Sequence, residues 1–598
     1  MTTIVETGSA SAVAEQAEQT EQQANPAEQA PTRLSWRQRI ERLFRFAVPV
    51  ATCLVVAGVV LRFVATSQLW LDETLSVNIS RLAVGQIPDA LRHDGAPPLY
   101  YFLLHFWMEA FGQGDFAVRA LSGVISVATL PLAWLAGKRL GGRPMAWASL
   151  LLLASSPFAI NYATTTRMYS LMIFWSMLGF LLLWRALEQP TRVRLMALGA
   201  VTAAILYTHY WGIYLVAVTG AWLLVRSGRW RRVSPKAAAP TATAALPVAA
   251  ATDTAAAVAT ETAAAEVATD TAAAEEATDM PGGQDVADQV DAARAACWSC
   301  FLAMLLGSLM FLPWLPSFVF QTLHTGTPWS NAAGLGDILT VLNQYAGGGP
   351  WGAALVLTLF ALVLLGVFGQ SIDRHEVLIR LKARREAHPI AVVFIGTLLV
   401  AVVGGTIAQA AFVGRYTAVV FPLFVLLAAL GTTVFADRRT MALVLLWTSC
   451  AGLIVAGGAQ VSPRTQAGRV ASIINTYAGP NDVVVYCPDQ LGPAASRLIT
   501  VPVQQFTFPR ADPPQRIDWV NYEHAISQAN VQEFADNMLN LAAGHDLWFV
   551  ENPNYSGTEN KCSALMEWFS AKRGNSQLWV SDNTNISLEN EALYRFPA

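Results

Sequence analysis

Apolar residues along this chain gather in blocks of roughly 18 to 22, the length that crosses ~30 Å of hydrocarbon. The pattern predicts spans at about 46–66, 117–137, 144–160, 168–184, 195–208, 211–226, 297–319, 351–369, 390–411, 417–435 and 440–459. One further apolar run, residues 97–111, is short, rich in aromatics, and contains His105 and Glu109. If it crossed, Lys138, Arg139 and Arg143 would fall outside, and every later basic loop would invert with them. Read as a helix lying on the outer surface, it leaves each basic loop, including Arg185/Arg192/Arg194, Arg229/Arg231/Arg232, Arg374/Arg380/Lys382/Arg384/Arg385 and Arg438/Arg439, on the cytoplasmic side. The expectation is a multi-pass protein of the plasma (inner) membrane with about eleven spans. Its N-terminus is then cytoplasmic and its C-terminus extracytoplasmic.

Composition agrees. The 598 residues are 54% hydrophobic and 14% charged, against about 25% charged for a soluble chain, and mean hydropathy is +0.39. A net charge of −3 says little, because charge is distributed by loop. No basic tract with interleaved aromatics points to nucleic acid. Residues 1–32, rich in Ala, Glu, Gln and Thr, read as a disordered tail, and 33–45 as a basic amphipathic collar before the first span. Residues 33–232, with a first outer loop at 67–116, form one transmembrane module, and 297–459 hold the remaining spans. Between them, 233–296 (low-complexity Ala/Thr/Glu/Asp from 237) cannot bury a core and reads as a disordered cytoplasmic loop.

Residues 460–598 turn soluble in composition. A helical pattern at 469–477, strand-like runs at 483–487, 547–550 and 577–580, and a helix at about 561–573 predict a small extracytoplasmic α/β domain. The fold class is thus mostly α and polytopic, with this domain appended. Cys487 and Cys562 share the oxidising side, which leaves a disulfide open. Cys297-Trp298-Ser299-Cys300 opens an apolar helix without a second pair and reads as buried filler rather than a metal or redox site.

The unusual residues sit in the outward loops. Asp72 and Glu73, in Leu69-Trp70-Leu71-Asp72-Glu73-Thr74, are adjacent carboxylates at a membrane boundary, where desolvation makes them costly as filler. Arg167 and Tyr169, His209, and Arg415 with Tyr416 lie in later outer loops, and His93 and Asp94 further along the first. Cations and aromatics converging on two acids suit a lipid-phosphate-linked sugar: arginines for the phosphate, rings and polar groups for the sugar, a carboxylate base for an acceptor hydroxyl. Plainer readings stand beside these. The acids could cap a helix starting at Thr74, His93-Asp94 could form a turn before Pro97-Pro98, Arg167 and Arg415 could anchor to headgroups, and His209 could be a satisfied interfacial histidine.

Trp70-Leu71-Asp72-Glu73-Thr74, continued by His93-Asp94-Gly95-Ala96-Pro97-Pro98-Leu99-Tyr100-Tyr101, Gly112 and Arg119-Ala120-Leu121-Ser122, resembles the first-loop motif of the GT-C glycosyltransferases. The branch is the family 39-like one of protein O-mannosyltransferases and aminoarabinose lipid A transferases. Ser156-Pro157 with Arg167-Met168-Tyr169, and Arg415-Tyr416 with Pro422, add weaker matches. The resemblance covers about 46–227 well and 297–436 loosely. It implies a GT-C-like fold and inverting transfer of a sugar, mannose foremost, from a polyprenyl-phosphate donor to a glycan, lipid or protein acceptor in the cell envelope. By it Asp72 is the base and Glu73 its partner, holding the acceptor or a cation. Arg167 and Arg415 bind the donor phosphate, and His93, Asp94, Tyr169, His209 and Tyr416 line the substrate. No cofactor is implied, and a divalent metal near Asp72 stays open. The rivals are a lipid-linked sugar transporter or flippase and a non-catalytic envelope-assembly protein.

Overall fold

The computed structural model describes residues 46–229, 283–326, 334–373, 376–407, 412–552, 555, 557–583, 586 and 588–598. The tail, the basic collar, most of the low-complexity loop and Arg374 lie outside them. The chain divides into Met1–Ala51, described only from residue 46 as the start of a helix, and Thr52–Ala598.

The predicted spans fall on helices α1 (Ala47–Leu61), α5 (Asp115–Ala154), α7 (Tyr169–Glu188), α8 (Arg192–Thr208), α9 (Gly212–Arg226), α10 (Gly283–Leu309), α13 (Gly349–Phe368), α14 (His388–Ile407), α15 (Phe421–Thr432) and α16 (Arg438–Val461). Six helical stretches of the described residues are long and apolar enough to cross a membrane, with three shorter apolar helices beside them. The 40 residues of α5 break at Gly141 and Gly142, whose backbones are non-helical, and so supply two of the expected spans. α10 starts at Gly283, so the last part of the expected disordered loop, 283–296, is helix. Its alanines, at 287, 292, 293, 295 and 296, favour that conformation enough to extend the apolar helix backwards. The predicted span 297–319 bends at Pro313, after which α11 (Leu315–His324) continues.

Small residues let these helices touch through their backbones. A Cβ on Gly366 of α13 would run into the Leu427 carbonyl of α15, and one on Gly431 into the Leu362 carbonyl of α13. The surfaces turned away from the bundle carry Leu306, Leu357, Ile395 and Val403, as a lipid-facing wall requires. At the outer end of α1, the buried Arg62 donates to the Leu153 and Ala154 carbonyls, satisfying the last turn of α5.

The predicted first outer loop, 67–116, folds into α2 (Leu71–Ser80), α3 (Ile87–Asp94) and α4 (Leu99–Phe111). At 13 residues α4 is only about 20 Å long, too short to cross. It buries Tyr100, Tyr101, Leu104 and Met108 and exposes Phe106 and Phe111. Gly95 and Gly112, both at positive φ, end α3 and α4.

Beyond α16 a five-stranded sheet has the order β4 (Gln504–Thr507), β3 (Val483–Cys487), β5 (Leu547–Glu551), β7 (Ala592–Phe596), β6 (Gln577–Val580). β3 pairs in parallel with β4 and β5, and β7 pairs antiparallel with β5 and β6. Every residue of β3 and β5 is buried, as a sheet covered on both faces demands. One face packs on Tyr522–Gln528, Val531–Leu541 and Lys561–Arg573, the other on Ala467–Tyr477. Cys487 and Cys562 are joined, linking β3 to the helix that starts at Lys561. Leu75 of α2 belongs to the core of the first face and the partly buried Leu71 packs against it, so the helix with the two acids is packed into the C-terminal domain.

Two outcomes test this packing. Gly431→Val should lower the thermal midpoint of the detergent-purified protein through backbone separation of α13 and α15. An unchanged midpoint would disprove the close crossing. In the C-terminal domain, burial pushes Asp489 up to about 7 and Glu589 to about 8, and drives Glu591 up beside Glu589. The native state therefore keeps protons that the unfolded chain releases near pH 4 to 5. This contribution to stability is full below that range and is lost as pH climbs towards 8. Thermal scans from about pH 5 to 8.5 should show a falling midpoint, steeper than in Glu591→Gln.

Candidate active site

α2 begins at Leu71 rather than Thr74, with Trp70 as an N-cap that makes no side-chain bond, so both acids lie in its first turn, where negative charge is favoured. Consecutive helical positions point in different directions, and the two carboxylates part company accordingly. Glu73 points into the protein, with no exposed surface. Arg119 of α5 grips it with two bonds, Nε to Oε1 at 2.8 Å and Nη2 to Oε2 at 2.5 Å, while the Thr166 amide donates to Oε1 at 2.9 Å. Arg119 also donates to the Ser67 and Gln68 carbonyls, tying the entrance of the first loop to the same fork. The expectation that Glu73 holds acceptor or cation is corrected here: its oxygens are occupied, and its part is to place α2.

Asp72 faces the other way, into the space where the loop arginines meet. Its Oδ2 lies 3.9 Å from Arg167 Nε and 3.9 Å from Arg415 Nη2, and accepts no hydrogen bond. Arg167 Nη1 donates to Ser76 Oγ and Tyr101 Oη, each at 3.2 Å. Tyr101 in turn donates to Asp94 at 2.9 Å. Burial pushes the Asp94 carboxyl above its ordinary range, against the pull of Arg167 and the Tyr101 hydroxyl. A Cβ on Gly414, before Arg415, would meet the side-chain amide of Gln344, which would have to swing aside.

Rings continue the cluster. Tyr162 and Tyr169 meet at 4.8 Å between centroids, Tyr169 and His209 at 6.0 Å, and His209 and Tyr416 at 4.9 Å. His209 Nδ1 accepts the Trp211 amide, which leaves Nε2 as the protonated nitrogen when the ring is neutral. Asp72, Arg167, Arg415, Asp94, Tyr169, His209 and Tyr416 thus form one connected group. His93 turns elsewhere: half-exposed, it bonds Asp518 of the C-terminal domain at 2.8 Å. Unlike Asp94, which it precedes at the end of α3, it is a docking contact.

Within the helical bundle lies an apolar cavity of about 370 Å³. Val201, Ile205, Val216, Val393, Val419 and Leu423 are among its walls. Val419 ends the short 3-10 helix Gly414–Val419 that carries Arg415, so the cavity and Arg415 share an element. Among the described residues no three His, Cys, Asp or Glu side chains group as metal ligands. With Glu73 used by Arg119 and Asp72 between two guanidiniums, the pair does not fit a divalent cation.

Residues 95–252 match the family model of dolichyl-phosphate-mannose-protein mannosyltransferases. ArnT from Cupriavidus metallidurans in the apo state is similar in structure, with a TM-score of 0.51 at 11% identity over 93% of this chain and 98% of that one. The fold is that of the GT-C membrane glycosyltransferases. ArnT bound to undecaprenyl phosphate gives a TM-score of 0.49 at 11% identity, with 93% and 98% covered. The apo oligosaccharyltransferase of Archaeoglobus fulgidus gives 0.45 at 10% identity, over 87% of this chain and 71% of that one. No curated protein matches by sequence.

The matched segment begins after the two acids, so their assignment rests on geometry. Arg119 and Tyr101 are the residues sequence reasoning undervalued, both noted only as parts of a motif. The available signal was a charge just inside the predicted boundary of a span, which lipid tolerates only when it is paired. Arg119→Leu should leave Glu73 buried and alone, at a cost of about 3–5 kcal/mol. Thermal or chemical unfolding of purified protein checks this. Replacing both residues by Leu should recover most of that loss, and a double variant as unstable as the single would refute the pairing account.

Proposed function

We propose that the protein transfers a sugar, mannose being the first candidate, from a polyprenyl-phosphate carrier to an envelope acceptor at the outer face of the plasma membrane. The observation that carries this reading is Asp72 Oδ2, buried, without a hydrogen bond, and 3.9 Å from each of two arginines. A carboxylate so placed has lone pairs for an acceptor hydroxyl, and the guanidiniums beside it suit a phosphate. The apolar cavity next to Arg415 suits the first isoprenes of the carrier, and the tyrosines around His209 suit the sugar. The family matched over 95–252 is named for a polyprenyl-phosphate mannose donor, which supports the same substrate class.

In the reaction, the acceptor oxygen attacks the anomeric carbon from the side opposite the phosphate. The new carbon–oxygen bond forms as the bond to phosphate breaks, and the configuration inverts. The acceptor proton passes to Asp72, and Arg167 and Arg415 hold the charge left on the polyprenyl phosphate. Most of the acceleration then comes from orientation and from cations already in place. Glu73 and Arg119 keep Asp72 in register, and Asp94 with Tyr101 steadies Arg167.

Release of polyprenyl phosphate from polyprenyl-phosphate mannose by purified protein is the direct assay. Asp72→Asn should reduce turnover by about 10²- to 10⁴-fold with the fold intact, and full activity would remove Asp72 from the base role. Arg415→Ala should chiefly weaken donor binding, and an unaltered donor KM would clear it.

A further inference from the structure

Arg464 lies just beyond α16, where the chain leaves the bundle for the C-terminal domain, and only 5% of it is exposed. It forms no ion pair among the described residues. Instead its guanidinium is spread over the turn between α6 (Pro157–Ala163) and α7. Nη1 donates to the Thr164 carbonyl at 2.9 Å and to Thr165 Oγ1 at 3.3 Å. Nη2 donates to Thr164 Oγ1 at 2.9 Å, Gln460 Oε1 at 3.2 Å and Asn161 Oδ1 at 3.4 Å. Its backbone adds two more ties. The amide donates to Ser67 Oγ at 2.8 Å, and the carbonyl accepts the Glu589 amide at 3.0 Å. One residue therefore joins the entrance of the first loop, the 161–167 turn, the last span and the end of the C-terminal domain.

That turn delivers Arg167. Thr166 gives its amide to Glu73, and the Arg167 amide bonds back to the Thr165 carbonyl. The two residues that Arg464 holds immediately precede the one held by Glu73, and Arg167 follows directly. Burying a cation without a carboxylate partner is costly, and a planar fork with several fixed donors is what a lysine could not supply. We propose that Arg464 is a positioning residue of the donor-phosphate site, setting the 164–167 backbone so that Arg167 stands beside Asp72. The ligand named here rests on the function proposed above; the placement of the turn does not.

The test uses full-length protein in lipid nanodiscs, with Arg464→Lys to keep the charge and Thr165→Val as a milder variant. Hydrogen–deuterium exchange over 161–169 should speed up in Arg464→Lys, and less so in Thr165→Val, while Arg167→Ala leaves it unchanged. Unaltered exchange in both anchoring variants would overturn the proposal. With polyprenyl phosphate as the probe, Arg464→Lys should weaken binding about 10- to 100-fold. Combined with Arg167→Ala it should lose no more than Arg167→Ala alone. Additive losses would show that Arg464 acts by another route and would overturn the proposal. If the wild-type protein bound no polyprenyl phosphate, the functional reading would fall, and the exchange result would still decide the part played by Arg464.

Discussion

A carboxylate with no exposed surface has to find its compensation within the fold, and Glu73 finds it in Arg119. Neither partner could stay buried alone, so the pair forces the first turn of α2 against the start of α5. The Thr166 amide on the same carboxylate brings a third segment to that point. The neighbouring Asp72 has no freedom left in where its backbone stands. Its placement between two arginines is the geometric remainder of a bond made by the residue beside it.

Strong constraints were legible along the chain and weaker ones were not. Lipid leaves few options for an apolar block of twenty residues, so the spans were readable. The charge count, with the shortness of the run at 97–111, argued against a crossing helix there, and the 13-residue α4 is too short to cross. Three strands of the C-terminal sheet stood out as runs of Val, Leu, Trp and Phe. β4, with Gln504 and Gln505 at the sheet edge, and β7, with Arg595 bonded to Asp546, lack that density and were missed. Their pairing is set by neighbours far away in sequence.

The site divided in the same way. Acids, arginines and rings in outer loops could be named as a group, because polar residues at a membrane boundary need a reason to be there. Which of two adjacent acids would face the arginines could not be read from their order. It depends on a contact 46 residues away. Nor could His93 be told from Asp94, since the choice rests on Asp518 of a domain whose docking the linear pattern does not encode. Arg464 offered no local signal at all, since its partners are carbonyls, hydroxyls and side-chain amides.

Leu75 lies in the core of the C-terminal domain, Leu71 packs against that core, and the two flank the acids on the same helix. The domain is therefore no detachable attachment, because its removal would strip the packing from the helix that carries Asp72 and Glu73. Any lineage that exchanged this domain for another would have had to rewrite the buried face of α2 in the same step.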